Sequence, residues 1–223
     1  MSWAFVQSRS VVASSLVFNA NVGAGNFLVA MTVTTSGSSV TTFSDNNGGT
    51  WVTDIDGQDA GDGNTLSIGH SANHGAGSTT ITASPSPGAA AFIIIAEYSG
   101  IETSSPLDVS AWQVVSGSSY SSGNTAATAA ANELVIGTSY DVGLGILSAG
   151  SGFTLREAPV VSFGLEDKDS GGVGVQSATW TTTVGSGNKI ALCVVYKIPG
   201  GAAAKQANPP VLIKQAVHRG AFY

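Results

Sequence analysis

Only 10% of this 223-residue chain is charged, against about 25% in an average soluble domain. A surface so neutral suits a protein packed into an assembly or exposed outside a cell better than a monomer in a crowded cytosol. There is one cysteine, Cys193, so no intramolecular disulfide framework exists. It sits in the apolar run ALCVVY, where a buried, inert thiol is the expectation. No apolar run reaches the ~18 residues of a membrane span, and the start, MSWAFVQSRS, lacks the basic and apolar regions of an export signal. The expectation is a soluble chain made without a classical export signal, with no membrane partner.

Positive charge is scarce and uneven. Residues 1–200 hold all 14 acidic residues and five of the eight Lys/Arg, a net −9, while the last 23 residues carry Lys205, Lys214 and Arg219, a net +3. An acidic body argues against nucleic acid as ligand. A basic tail and an acidic body attract one another, within a subunit or between copies.

Helical periodicity is missing too. Short apolar or alternating runs recur between clusters of Gly, Asn, Asp, Ser and Pro, which is an all-β rhythm. Fifteen short segments are predicted as strands, too many for one flat sheet, so the expected fold is a two-sheet, jelly-roll-like β-sandwich over residues 1–198. Two turns, at 45–49 (DNNGG) and 185–188 (GSGN), are predicted to close hairpins, because Asn and Gly supply the positive φ such turns require. A Gly-rich loop at 143–152 carries Leu144, Ile146 and Leu147. These either form a contact surface or fold back on the body.

What the chain has in surplus is apolar strand face. In residues 89–100, AAAFIIIAEYSG, Phe92, Ile94, Ala96 and Tyr98 alternate with Ala91, Ile93, Ile95 and Glu97. Both faces are apolar until Glu97, which reads as an edge or hydrogen-bonding residue. Residues 189–198 repeat the pattern, with Ile190, Leu192, Val194 and Tyr196 opposing Ala191, Cys193 and Val195. A strand in an ordinary sandwich needs one apolar face, so the second must be covered by another part of the chain or by another subunit.

After Pro199 the composition breaks into GGAAAKQANPPVLIKQAVHRGAFY. Residues 199–223 are expected to form a linker and an extended C-terminal arm that adds to a sheet edge or lies in a groove. Its Val211, Leu212, Ile213, Lys214, Val217, Arg219, Phe222 and Tyr223 are the candidate interface residues. Trp112 and Tyr120 flank a Ser-rich stretch and are the candidate exposed contacts of the body, whereas Trp51 and Trp180 read as core.

Catalytic signals are thin. No G-x-S-x-G or G-x-x-x-x-G-K-[ST] run occurs, the three histidines suggest no triad, and no pair of glutamates stands out as a glycosidase pair. Asp54, Asp56, Asp59 and Asp62 lie within nine residues of a Gly-rich stretch and could offer oxygen ligands to calcium, against the alternative of a solvated turn. No other cofactor is expected. His70 and His74 on a continuous strand would stand about 13 Å apart, too far to share a zinc ion.

Several pieces together resemble a family of Gly/Ser/Thr-rich β-sandwich domains found in phage virion proteins and bacterial surface proteins: SDNNGGTW (44–51), AEYSG (96–100), SPLD (105–108), ANELVIG (131–137), GFTLR (152–156) and SATW (177–180). The resemblance implies a jelly-roll-like structural or adhesive domain and carries over no catalytic residue. The expected function is therefore a non-enzymatic virion structural protein, a phage capsid decoration or head component. It would assemble with copies of itself and with a major capsid or other virion protein through apolar strand faces and the basic arm. The alternatives are a glycan-binding or adhesive module of a bacterial surface, or an extracellular fibre subunit.

Overall fold

The computed structural model describes residues 2–35, 37, 39–160 and 162–200. The candidate arm residues from Val211 to Tyr223 lie outside them. The described chain is all-β, in sixteen strands, and the order in which they pair repeats.

The first eight strands are β1 (Ala4–Val11), β2 (Ser15–Val17), β3 (Asn26–Thr34), β4 (Val40–Asp45), β5 (Trp51–Asp59), β6 (Asn64–His74), β7 (Thr80–Ser86) and β8 (Ala90–Ser99). They form an antiparallel five-stranded sheet, β1-β8-β3-β6-β5, and a three-stranded sheet, β2-β7-β4. The next eight are β9 (Leu107–Val115), β10 (Ser119–Ser121), β11 (Leu134–Asp141), β12 (Leu147–Ala149), β13 (Thr154–Val160), β14 (Phe163–Asp169), β15 (Thr179–Thr182) and β16 (Lys189–Tyr196). Their sheets run β9-β16-β11-β14-β13 and β10-β15-β12, the same order with every number raised by eight. The body is thus two sandwich units in tandem, joined by residues 100–106.

The units pack through their five-stranded sheets. The largest apolar cluster draws Val29, Met31, Ile68, Ile94 and Tyr98 from the first unit and Ile136, Leu165, Ile190, Val194 and Tyr196 from the second. Behind it, Leu28, Ala30, Phe43, Ile81, Ile93 and Ile95 fill the first sandwich. Tyr120, Leu147, Trp180, Val135, Cys193 and Val195 fill the second. Four layers result, and the two five-stranded sheets in the middle are covered on both sides. This accounts for the doubly apolar strands β8 and β16: one face is core within a unit, the other is core between units. The second faces are consumed inside the chain and are not free for a neighbour.

Two expected hairpins are corrected. The turn at 45–49 follows β4, which pairs with β7, and leads into β5, which pairs with β6. The turn at 185–188 likewise joins β15 to β16, which lie in different sheets. Gly48 (φ 77°) and Gly187 (φ 77°) do supply positive φ, but the turns carry the chain around a corner between layers. Local turn chemistry is the same in both uses. The 45–49 corner is pinned by Asp45, which accepts from Trp51 Nε1 (2.6 Å), Asn47 N (2.6 Å) and Gly49 N (3.2 Å) and faces His74 Nε2 at 3.1 Å. Burial raises the pKa of Asp45, and these bonds outweigh it and leave the carboxyl below its usual range. The 185–188 corner is held by Lys189, fully buried, whose ammonium donates to the Ser186 and Gly187 carbonyls and pairs with Asp141 at 3.3 Å. Residues 125–129, expected as a strand, contribute a single bridge, Ala127 to Val175.

The two units are tied by a matched pair of polar contacts. In β5 a bulge inserts Asp54 between Thr53, opposite Gly69, and Ile55, opposite Ile68. In β13 the corresponding bulge inserts Arg156 between Leu155, opposite Glu166, and Glu157, opposite Leu165. A bulge re-aims the extra residue out of the ladder. Tyr196 of the second unit donates its hydroxyl to Asp54 Oδ2 of the first (2.6 Å), which also faces His70 Nδ1 at 2.9 Å. Tyr98 of the first unit donates to Asp167 Oδ2 of the second (2.9 Å), which also accepts from Arg156 Nε (2.8 Å). The ladders make Asp54 equivalent to Arg156 and His70 equivalent to Asp167. Acid and base have exchanged strands, and the tyrosine-to-carboxylate bond is kept at both ends. Burial first, and then the facing carboxylates, hold both phenols well above their usual pKa.

Replacing Tyr98 with Phe removes one hydrogen bond to a buried carboxylate, and such bonds contribute about 1.5–3 kcal/mol. Urea unfolding of Tyr98→Phe is expected to show a loss of about 2 kcal/mol with an unchanged m value.

Candidate functional site

The four aspartates grouped for calcium do not converge. Asp54 is on β5, its side chain fully buried against His70 and Tyr196. Asp56 accepts from Ser67 Oγ (2.6 Å) and Thr41 N (3.4 Å), on the side of the three-stranded sheet. Asp59 ends the strand and caps the turn, accepting from Gly61 N (2.9 Å) and Asp62 N (3.4 Å). Asp62 is exposed in that turn. The stretch expected as a loop is mostly strand, so alternation and the bulge send the carboxylates to different layers. Among the described residues no group of three or more His, Cys, Asp or Glu is placed to hold a metal.

Of the two body contacts, Trp112 is 43% exposed on β9, the edge strand of its sheet, whereas Tyr120 is 7% exposed and bonded to Ser139 Oγ at 2.8 Å. Tyr120 is therefore core, drawn in because β10 pairs in the small sheet with β15, which carries Trp180. Trp180 and Tyr140 are buried as well, and Trp112 is left without neighbours among them for a sugar-stacking row. In the 143–152 loop the apolar residues divide: Leu147 is buried in β12, while Leu144 and Ile146 are exposed at 62% and 57%.

The glutamates are mostly spoken for. Glu97 is fully buried and accepts from Gln7 Nε2 (2.5 Å), Asn26 Nδ2 (2.5 Å) and Gly23 N (2.8 Å). Glu157 accepts the hydroxyls of Ser8 (2.7 Å) and Ser10 (2.6 Å) from the other unit. Glu166 accepts from Gly150 N (2.8 Å) with one oxygen and has no partner among the described residues for the other. Burial pushes its pKa up to about 8, and Cys193 beside it, also through burial, to about 12.

Two pockets flank the 100–106 connection. The first, of about 450 Å³, is lined by Glu102, Ser104, Asp108, Ala129, Ala130, Glu133, Lys197 and Ile198. Glu133 is raised to about 7, first by burial and then by the nearby Asp108 carboxyl, and neither of its carboxyl oxygens has a partner among the described residues.

The second pocket, of about 420 Å³, is lined by Thr50, Val52, Asp54, His70, Ala72, Thr103, Ser105, Pro106 and Leu107. It lies where the first unit meets the connection to the second, and its size falls in the ~300–1,000 Å³ range of small-ligand sites. Asp54 fixes the histidine tautomer: a carboxylate accepts at Nδ1, so Nδ1 carries the proton and Nε2 of the neutral ring presents a lone pair. Nε2 has no partner among the described residues and is not among the buried unpartnered atoms. The ring is held from behind by Phe27, stacked at 5.3 Å, and Tyr196, edge-on at 5.5 Å. Sequence spacing separates His70 from His74 by about 13 Å along a strand; the ladder turns His74 to the corner at Asp45 and His70 to Asp54, sixteen residues away in sequence. No local pattern encodes that contact.

Comparison of the chain with protein-family models, with curated proteins and with solved structures finds no match.

A buried acid with a raised pKa holds its proton in the folded state over a range where the unfolded chain has lost it. For Glu166 that range runs from its ordinary 4.5 to about 8. Stability falls there as pH rises, by up to about 1.4 kcal/mol per pH unit, and is fully retained below it. Glu166→Gln is expected to flatten the fall in denaturation midpoint between pH 5 and 8. Cys193 is expected to resist alkylation at pH 8 in the native protein and to react on unfolding, as thiol titration would show.

Proposed function

We propose that the chain is a non-enzymatic structural protein of a virion, a phage capsid decoration or head component that docks on neighbouring subunits and a capsid protein. The observation that carries this reading is the face-to-face locking of two sandwich units into a four-layered block. Such a block has no hinge between its halves, short connections and a neutral surface, which suit a load-bearing part. The role given to free apolar strand faces passes to other surfaces, since those faces are consumed in the block. What the described residues offer outward is the exposed Leu144 and Ile146 on one loop, Val173 and Val175 on another, and Trp112 on an edge strand; the basic segment after Gly200 lies outside the described residues. Apolar residues standing out on loops of a neutral surface are what a docking partner covers.

Light scattering behind size-exclusion chromatography tests the reading. The full chain is expected to form higher species than a chain ending at Gly200, and Leu144→Ser with Ile146→Ser to weaken them further. Monodisperse monomers of equal stability in every case, with no binding to purified particles, would overturn it.

A further inference from the structure

The pocket at His70 has an equivalent at the other end of the seam between units, and there it is filled. Across the β1–β8 ladder Phe5 stands opposite Tyr98, and across the β9–β16 ladder Leu107 stands opposite Tyr196. Phe5 packs edge-on against Tyr98 at 5.7 Å and lies under the Arg156 guanidinium at 4.0 Å. Two residues before Phe5, Trp3 packs against the same tyrosine at 6.0 Å and against the core between units. Two residues before Leu107 stands Ser105. Where one end has an indole and a phenyl ring, the other has a hydroxymethyl and an isobutyl group, and both Ser105 and Leu107 line the open pocket.

The chemistry of the walls narrows the occupant. Among the described residues, Asp54 is the one carboxylate in the lining, and both its oxygens already face donors. No Lys, Arg or Glu among the described residues lines the pocket, so an ionic ligand gains little. Val52, Ala72, Pro106 and Leu107 offer apolar contact, and His70 Nε2 offers a single oriented acceptor. We propose that this pocket binds a planar aromatic group bearing a hydrogen-bond donor, an indole or a phenol. Its ring replaces the aromatic filling of the other end, and its N–H or O–H donates to His70 Nε2. The group arrives either as a free small molecule or as a side chain of a partner protein. The site does not depend on the virion reading.

Nitrogen-detected NMR of the histidine-labelled full chain, titrated with indole and with indene, provides the test. Indene has the shape of indole without the N–H. Indole is expected to shift His70 Nε2 saturably in the millimolar range, and indene to bind roughly tenfold more weakly, for want of one hydrogen bond. Leu107→Phe, which copies the filled end, is expected to abolish the shift, and His70→Phe, which removes the acceptor and is read by saturation transfer from protein to ligand, is expected to bind indole no better than indene. If N-acetyl-tryptophanamide binds as indole does, the occupant is a partner's side chain; if it is excluded while indole binds, the occupant is a free aromatic molecule. No saturable shift with indole up to about 10 mM, or equal binding of indole and indene, overturns the proposal in the wild-type chain alone. A His70 shift that survives Leu107→Phe, or a preference for indole over indene that survives His70→Phe, places the binding elsewhere and overturns it as well.

Discussion

The burial of two five-stranded sheets against each other is the constraint on which the rest of this structure depends. Each sheet then has no solvent side, so each of its central strands must be apolar on both faces, and any polar group on the inner side must be satisfied there. The sequence obeys both demands. β3 and β11 are apolar runs broken by small hydroxyl residues, β8 is broken by Glu97, and β16 is apolar from Ile190 to Tyr196. The titratable groups at the seam, Asp54, His70, Arg156 and Asp167, are paired across strands, and each carboxylate is reached by a tyrosine from the opposite unit. An unpaired buried charge there would cost several kcal/mol, which explains why carboxylate, partner and phenol occur together at both ends.

The repetition of strand order makes the seam pseudo-symmetric, and its departures from symmetry are where specific chemistry arises. Exchanging acid and base between the bulged strand and its neighbour preserves the carboxylate-to-nitrogen contact and converts an arginine site into a histidine site. Exchanging Trp3 and Phe5 for Ser105 and Leu107 opens a cavity in front of that histidine. Neither change disturbs the ladders, because both occur where side chains leave the sheet.

Much of the architecture could be read from residues in order. The all-β rhythm, the Gly and Asn turns, the core placement of Trp180 and Cys193, and the satisfied role of Glu97 follow from short-range pattern, because alternation and turn chemistry act over a few residues. Trp112 was legible as exposed for the same reason. The division of Leu144, Ile146 and Leu147 was not, since β12 is a three-residue strand held only by pairing to β15. Tyr120 failed similarly: its strand exists through contact with Thr179–Thr182. The aspartates from Asp54 to Asp62 looked like a loop because polar residues and glycines dominate there, yet pairing with β6 makes most of them strand.

By itself, the sequence determined that this chain is built of strands, that some of those strands have two faces to bury, and that residues after Pro199 differ in kind. Composition and period carry that information, because each strand's needs are written in its own side chains. Only the tertiary structure decided what meets those needs. The covering surface for β8 comes from β11, β14 and β16, far along the chain, and not from another molecule. His70 finds Asp54 and Tyr196 rather than His74, because pairing partners are set by the packing of whole sheets, which no local stretch contains.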